Sequence, residues 1–380
     1  MKKTMSVILA FLMIVCSLPV FAEIKDSIPF DVNAQSAVLI DTATGTVLYA
    51  KNADLALPPA SVTKIMTLLL FLEEVERGNI SLDENISVSE YAASMGGSQV
   101  YLEPGETMTA EEMLKCVIIA SANDAAVALA EKVAGSEEAF VARMNERAGE
   151  LGMVNTHFEN ATGLDDDTVK HLTSAYDIAL MSRELLKHEI ITKYSTIWMD
   201  TIRNGEFGLT NTNRLIRFYE GATGLKTGST SKAGFCMSAS AKRDGLHLVA
   251  VVMGADSRDI RNAVAKQLLD YGFANYSLYE NSGGEAGEIP VTGGVNRTCK
   301  VEYEPFNVLL PKGKSKSVQV EFLLDSSVEA PVAAGDKVGV VRYICGEEII
   351  GEGDIFASAS VDRINFLELL WRMVGIYCLK

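Results

Sequence analysis

The chain has 380 residues, is 48% hydrophobic and carries a formal net charge of −16. That length accommodates one large domain and a smaller one, with enough apolar side chains for a sizeable core. The acidic balance offers no basic field to phosphates, which excludes nucleic acid as a partner.

Residues 1–22 read as an export signal. Lys2 and Lys3 precede the apolar run SVILAFLMIV, and Val20-Phe21-Ala22 fits the small-residue rule for cleavage after Ala22. A retained membrane anchor is the alternative. Lipidation at Cys16 fits less well, because Val15 is larger than the residue expected before a lipidated cysteine. Cleavage leaves Cys116, Cys236, Cys299, Cys345 and Cys378, an odd number at wide spacing and so no disulfide framework. Cys299 and Cys345 could pair, with buried free thiols as the alternative. His157, His171, His188 and His247 are scattered, and neither they nor the cysteines show a metal-ligand spacing. No metal and no cofactor is expected.

Further along, SAVLIDTATGTVLYA (36–50) predicts two strands around a turn at Thr42–Gly45. Ser61 to about Glu76 predicts a helix that is apolar on nearly every side and therefore buried. Glu111–Ala120 and Ala125–Ala134 predict two more, with Ser121-Ala122-Asn123 in the break and Asp124 as N-cap of the second. GFCMSASAKRDGLHLVAVVMGA predicts a hairpin turning at Lys242–Gly245, and RNAVAKQLLDYGF returns to helical spacing. A glycine-rich polar stretch at Asn275–Gly284 marks a domain boundary. Beyond it lie short β segments separated by PKGKS and AAGD turns. The last seventeen residues, INFLELLWRMVGIYCLK, put Asn365, Glu368, Arg372 and Gly375 on one narrow stripe, with Glu368 and Arg372 spaced to pair. The rest of that helix is apolar, with Trp371 and Tyr377 suited to a lipid–water boundary. As a helix it rises about 25 Å, short of a bilayer core of about 30 Å, which favours an in-plane membrane anchor.

Three polar fragments punctuate this pattern. In PASVTKIMT, Ser61 and Lys64 sit three apart at a helix start, so they share a face. A serine needs a base before it can attack, and a lysine with a depressed pKa serves. Burial and the positive end of a helix both depress a lysine pKa. Ser121-Ala122-Asn123 sets a hydroxyl and a carboxamide on a tight interhelical loop. Lys226-Thr227-Gly228 opens an apolar strand with a cation, a hydroxyl and a residue without a side chain. Each fragment alone is commonplace; the three in this order are a specific signal.

Together with SANDAAVALAEKVAGSEEAFVARMNERAGELGM, NTHFENATGL and GLKTGSTSKAGFCMSASAKRDG, these fragments resemble the penicillin-binding D-alanyl-D-alanine carboxypeptidases, the low-molecular-mass serine-type group. The resemblance runs from about Asp31 to Phe273, and the β-rich segment and terminal helix match that family's layout less specifically. It implies Ser61 as the acylated nucleophile, Lys64 as its base, and Ser121 with Asn123 bordering the pocket and assisting proton transfer. It implies Lys226 and Thr227 on the substrate carboxylate, with Arg261, or its neighbour Arg258, helping. It also implies an oxyanion hole from the backbone N–H groups of Ser61 and of Ser229, the residue after Gly228. Some members of the family carry histidine where this chain has Ser229, but only a backbone group is needed there.

The expected architecture is α+β: a β-lactamase/transpeptidase-like domain at 23–275 with helices on an antiparallel sheet, a small β domain at 276–362, and an amphipathic helix at 363–380. The expected function is removal of the terminal D-alanine from peptidoglycan stem pentapeptides, with covalent binding of β-lactams. The expected location is the outer face of the cytoplasmic membrane or the cell wall. A class A β-lactamase shares the three fragments but adds a Glu-x-x-Leu-Asn element, and no such string lies between Asn123 and Lys226. A wall-binding protein without turnover is the other alternative.

Overall fold

The apolar run Leu246–Ala255 forms the central strand of the larger domain. Successive side chains of a strand point to opposite faces. Val249, Val251 and Met253 therefore join one core, while Leu248, Ala250 and Val252 join another on the far side. The strand is buried on both faces, which explains why its sequence does not alternate with polar residues. The computed structural model describes residues 29–166 and 168–378. The expected export signal lies outside the described residues.

Five strands make the sheet: β1 (Ser36–Asp41), β2 (Val47–Lys51), β3 (Ala222–Thr230), β4 (Gly234–Arg243) and β5 (Leu246–Ala255). Their order is β2–β1–β5–β4–β3, every pair antiparallel. Both expected hairpins form. The β4–β5 turn holds Asp244 at φ 48° and Gly245 at φ 83°, the positive pair that a two-residue hairpin twisting with its strands requires. At the β1–β2 turn, the Asp41 carboxylate accepts from the Thr44 amide at 2.8 Å.

On one face lie α1 (Lys64–Glu76), α2 (Ala110–Lys115), α3 (Asn123–Ala134), α4 (Glu137–Glu150) and α5 (Ala175–Leu185); on the other lies α6 (Arg258–Asn275). The uniformly apolar run in α1 is accounted for: Ile65 to Leu72 are all buried, beneath α3 and α5. Ser61 itself is not in α1. It sits in a 3-10 turn, Ala60–Thr63, and the α-helix begins at Lys64. The expected helix at 111–120 is α2 followed by a π-helical turn, Cys116–Ala120, which ends on Ser121 at φ 64°. Asp124 is not the N-cap of α3. Ala122 holds that position, and Asp124 sits in the first turn, accepting from the backbone N–H groups of Val100 and Leu102 at 3.1 Å each.

Helix α6 runs into β6 (Tyr276–Asn281), and the smaller domain follows as β7 (Gly284–Thr292), β8 (Thr298–Tyr303), β9 (Phe306–Pro311), β10 (Val318–Leu324), β11 (Lys337–Cys345) and β12 (Glu348–Ala357). Strands β6 and β9 pair with each other. Their Leu278 and Leu309 pack on the α6 core, while Tyr279 and Phe306 pack on the core of the small domain. Cys299 and Cys345 do not pair. Each is a free thiol, with the Cys299 sulfur turned to the Ala359 carbonyl at 3.2 Å.

The terminal helix α7 (Phe366–Cys378) is present, with Phe366, Leu367, Leu370, Trp371 and Met373 exposed. The expected Glu368–Arg372 pair is replaced by two separate arrangements. Glu368 and Asn365 cap the helix reciprocally, and Arg372 reaches the carbonyls of Gly294 and Val295 at the edge of the small domain. The side chains of 375–378 lie outside the description. Among the described residues no helix is long and apolar enough to cross a membrane.

Candidate active site

The turn that carries Ser61 is built by close backbone approach. Ala60 holds φ 50°, in the left-handed region that L-residues rarely adopt. Strand β3 comes up against this turn at Gly228, where a Cβ would stand 2.7 Å from the Ser61 nitrogen and 3.0 Å from the Pro59 oxygen. On another side Gly163 backs onto it; a Cβ there would fall 1.8 Å from the Ala60 oxygen. Any side chain at either position would push Ser61 away from its neighbours.

Lys64, fully buried, lies one turn on, and its Nζ reaches three oxygens: Ser61 Oγ at 3.0 Å, Asn123 Oδ1 at 2.5 Å and the Thr162 carbonyl at 2.7 Å. Burial drives its pKa well below the ordinary lysine value, and the charge of Lys226 pushes the same way, against an opposing pull from Asp124. The Asn123 amide nitrogen donates to Gly96 O at 2.6 Å, which turns its oxygen toward Lys64. Thr162 O and Asn123 Oδ1 can only accept. A neutral Lys64 amine would therefore spend both its hydrogens on them and leave its lone pair facing the Ser61 hydroxyl.

The Thr162 carbonyl is held in place by Asn160. Its Oδ1 accepts from the amides of Thr162 and Gly163, and its Nδ2 donates to Leu164 O at 2.7 Å. The same loop is tied to β3 and its following turn, since Thr230 donates to the Asp165 carboxylate and Lys232 to the Asp165 carbonyl.

Across the cleft, Lys226 is also buried, and its Nζ donates to Ser121 Oγ at 2.7 Å and to Thr227 O at 3.1 Å. Burial, then the charge of Arg261, brings its pKa down to about 7. Ser121 reaches Lys226 from the left-handed backbone that ends the π-helical turn. Thr227 donates to Thr212 Oγ1 at 2.8 Å. Arg261 projects from the first turn of α6, is itself buried, and is lowered to about 10 by burial and by Arg258. Its guanidinium lies beside the Asn262 side chain at 3.0 Å.

These groups open on a cleft of about 660 Å³ lined by Ser61, Ser98, Ser121, Trp198, Thr210, Asn211, Thr212, Arg214, Phe218, Thr227, Gly228, Ser229, Arg258 and Arg261. All nine expected site residues, Ser61, Lys64, Ser121, Asn123, Lys226, Thr227, Gly228, Ser229 and Arg261, thus lie in or directly behind one cleft. Both Arg258 and Arg261 face it. The sequence reading did not reach Thr162, Asn160 and Gly163, nor the Trp198 and Phe218 wall. Asn160 and Gly163 in NATG carry a turn signature, but a carbonyl contribution has no residue-type signal at all.

Against known proteins, residues 22–257 match the model of the D-alanyl-D-alanine carboxypeptidase family, and residues 280–363 match that of the penicillin-binding protein 5 C-terminal domain. The chain is 43% identical to the D-alanyl-D-alanine carboxypeptidase DacF of Bacillus subtilis, over 90% of this chain and 89% of that one. It superposes on penicillin-binding protein 5 of Haemophilus influenzae with a TM-score of 0.76 at 29% identity, covering 89% of this chain and all of that one. Penicillin-binding protein D2 of Listeria monocytogenes, solved in an ampicillin-bound form, matches 64% of this chain and 98% of its own with a TM-score of 0.59 at 31% identity. With its three polar fragments gathered in one cleft and both of its domains matched, the chain belongs to the D-alanyl-D-alanine carboxypeptidase family.

Proposed function

We propose that Ser61 is the nucleophile of a serine-type D-alanyl-D-alanine carboxypeptidase that removes the terminal D-alanine from peptidoglycan stem peptides. The observation that carries this reading is the Lys64 amine, buried, depressed in pKa and 3.0 Å from Ser61 Oγ.

Lys64 takes the Ser61 proton as Oγ attacks the carbonyl of the penultimate D-alanine. The backbone N–H groups of Ser61 and Ser229 receive the developing oxyanion; such donors typically contribute about 3–4 kcal/mol to the transition state. Ser121, oriented by Lys226, relays the proton that Lys64 has taken to the departing D-alanine nitrogen, receiving one as it gives up its own, and Asn123 holds Lys64 in line. Lys226, Thr227 and Arg261 grip the terminal carboxylate, with Arg258 at the rim. Water then hydrolyses the acyl-enzyme. A β-lactam enters the same way, but its leaving group stays tethered, so the adduct persists. Against a β-lactamase, the loop facing Lys64 offers it a backbone carbonyl, that of Thr162, rather than a carboxylate.

The proposed location is outside the cytoplasmic membrane, after removal of residues 1–22. Helix α7 is proposed to rest on the membrane surface, which suits the exposed Phe366, Leu367, Leu370, Trp371 and Met373.

The direct assay is release of free D-alanine from a peptide ending in D-Ala-D-Ala. Turnover by the wild type and none by Ser61→Ala is the expected result; a wild type that binds the peptide without releasing D-alanine contradicts it.

A further inference from the structure

We infer that His171 is a positioning residue for the oxyanion hole: its imidazole, through the Thr63 hydroxyl, fixes the Ala60–Ser61 peptide. This rests on the reading of Ser61 N–H as an oxyanion donor.

His171 is buried and belongs to neither the cleft nor the three polar fragments. Its Nδ1 accepts from the backbone N–H of Glu159 at 3.0 Å. The single proton of a neutral ring must then sit on Nε2, which lies 2.8 Å from Thr63 Oγ1. With that lone pair engaged, Thr63 donates its own hydrogen to Ala60 O at 2.9 Å. The chain is directional: His171 to Thr63 to the Ala60 carbonyl.

That carbonyl and the Ser61 N–H belong to one planar peptide and point in opposite directions. Holding the oxygen therefore aims the N–H. The aim has to be held, because Ala60 sits at φ 50°, where a non-glycine backbone is strained and relaxes unless its surroundings over-determine it. Gly163 backs onto the same carbonyl, and Phe158 meets the His171 ring edge-to-face at 5.8 Å. Burial keeps the imidazole pKa at about 4. Of the titratable groups around it, Glu159 and Asp165 raise that value while His157 and Lys64 lower it. The ring is thus neutral at neutral pH, as the chain of donors requires.

Thr63→Val keeps the shape of the side chain and cuts the chain in the middle; His171→Leu removes its start; Thr63→Ser preserves it. The account expects Thr63→Val and His171→Leu to lower both kcat for D-alanine release and the rate of penicillin acylation about tenfold to hundredfold, the scale of a small misplacement of a reacting group. KM should stay within about threefold, because ground-state grip is untouched, and Thr63→Ser should stay within about threefold of wild type in all three. Folded Thr63→Val and His171→Leu proteins that acylate like wild type overturn the inference, as does a Thr63→Ser protein that loses as much as Thr63→Val. Nitrogen-15 NMR of the wild-type histidines tests it without a variant. His171 should show a protonated Nε2 and a bare Nδ1 from pH 5 to 8; the opposite tautomer, or titration near 6.5, overturns it. Wild-type labelling at Ser61 in the same experiment separates the two readings. Its absence sinks the Ser61 assignment, whereas equal labelling of wild type and Thr63→Val sinks only the role of His171.

Discussion

Lys64 and Lys226 are both buried in one site, and the charge of Lys226 helps push the Lys64 amine toward its neutral form, yet the two are held by different hydroxyls, Ser61 and Ser121. Two amines in one low-dielectric site cannot both stay charged cheaply. The proposed mechanism divides the labour: the amine beside Ser61 would serve as base, and the amine beside Ser121 would keep its proton for the substrate carboxylate.

The pH profile should show that division. In the free enzyme Lys226 has a pKa of about 7. Above it the amine is neutral and attracts a carboxylate less. The profile of kcat/KM reports the free enzyme, so for a peptide with a terminal carboxylate it should fall as pH rises through about 7. Bound carboxylate raises the Lys226 pKa, so kcat should hold to higher pH. An ester analogue lacking that carboxylate should not show the limb. The same limb with both substrates would remove Lys226 from carboxylate recognition.

Lys64 and Arg261 should fail in different ways. Lys64→Ala should lower the acylation rate by about two to four orders of magnitude, the usual worth of general-base help. Arg261→Ala should hurt the carboxylate-bearing peptide more than the ester analogue, with most of the loss in KM. Equal losses on the two substrates would contradict the role given to Arg261.

Gly228→Ala tests the close approach of β3 to Ser61. The added methyl would stand 2.7 Å from the Ser61 nitrogen. The sheet should persist, because β3 is an edge strand paired through its backbone to β4. Acylation by penicillin should fall about hundredfold or more, the scale of losing one oxyanion donor. A thermal midpoint close to wild type together with an unchanged acylation rate would show that the approach is not needed.

The polar groups gathered in this cleft were legible where they are carried by residue type. Ser61, Lys64, Ser121, Asn123, Lys226 and Thr227 each advertise a hydroxyl, an amine or an amide, and their order along the chain ties them together. What stayed hidden resides in backbone. Neither the Thr162 carbonyl that meets Lys64 nor the left-handed Ala60 that turns the chain at Ser61 has a side-chain signature. Asp124 shows the same limit in the fold. Its residue type marks a helix start, but the loop at 100–102 competes for its carboxylate and draws it off the N-cap. The hairpins were legible because Asp244-Gly245 admits few conformations, and the Glu368–Arg372 pair was misread because spacing along a helix cannot see the Gly294 carbonyl beside it.

Two truncations test the expected division into a catalytic domain at 23–275, a β domain at 276–362 and a terminal helix. Residues 23–275 should fold and acylate with penicillin at the full-length rate, since the last buried member of the two cores of that domain is Phe273. The cut strips Tyr276, Leu278 and Leu309 from the α6 core. Each covers it only partly, contributing less than the roughly 1.5–3 kcal/mol of a fully buried side chain, so the thermal midpoint should fall modestly. Residues 23–363, lacking α7, should leave the membrane fraction with penicillin binding unchanged. An insoluble catalytic fragment would show that the β domain is part of the folding unit, and a 23–363 protein that stays with the membrane would show that α7 is not the anchor.

The central claim is that one serine, Ser61, carries the acyl group. Mass spectrometry after brief exposure to penicillin tests it directly, on the intact protein and then on its peptides. A single adduct on the peptide containing Ser61, and none on folded Ser61→Ala protein, is the predicted result. An adduct on any other residue, or one that survives in Ser61→Ala, would contradict it.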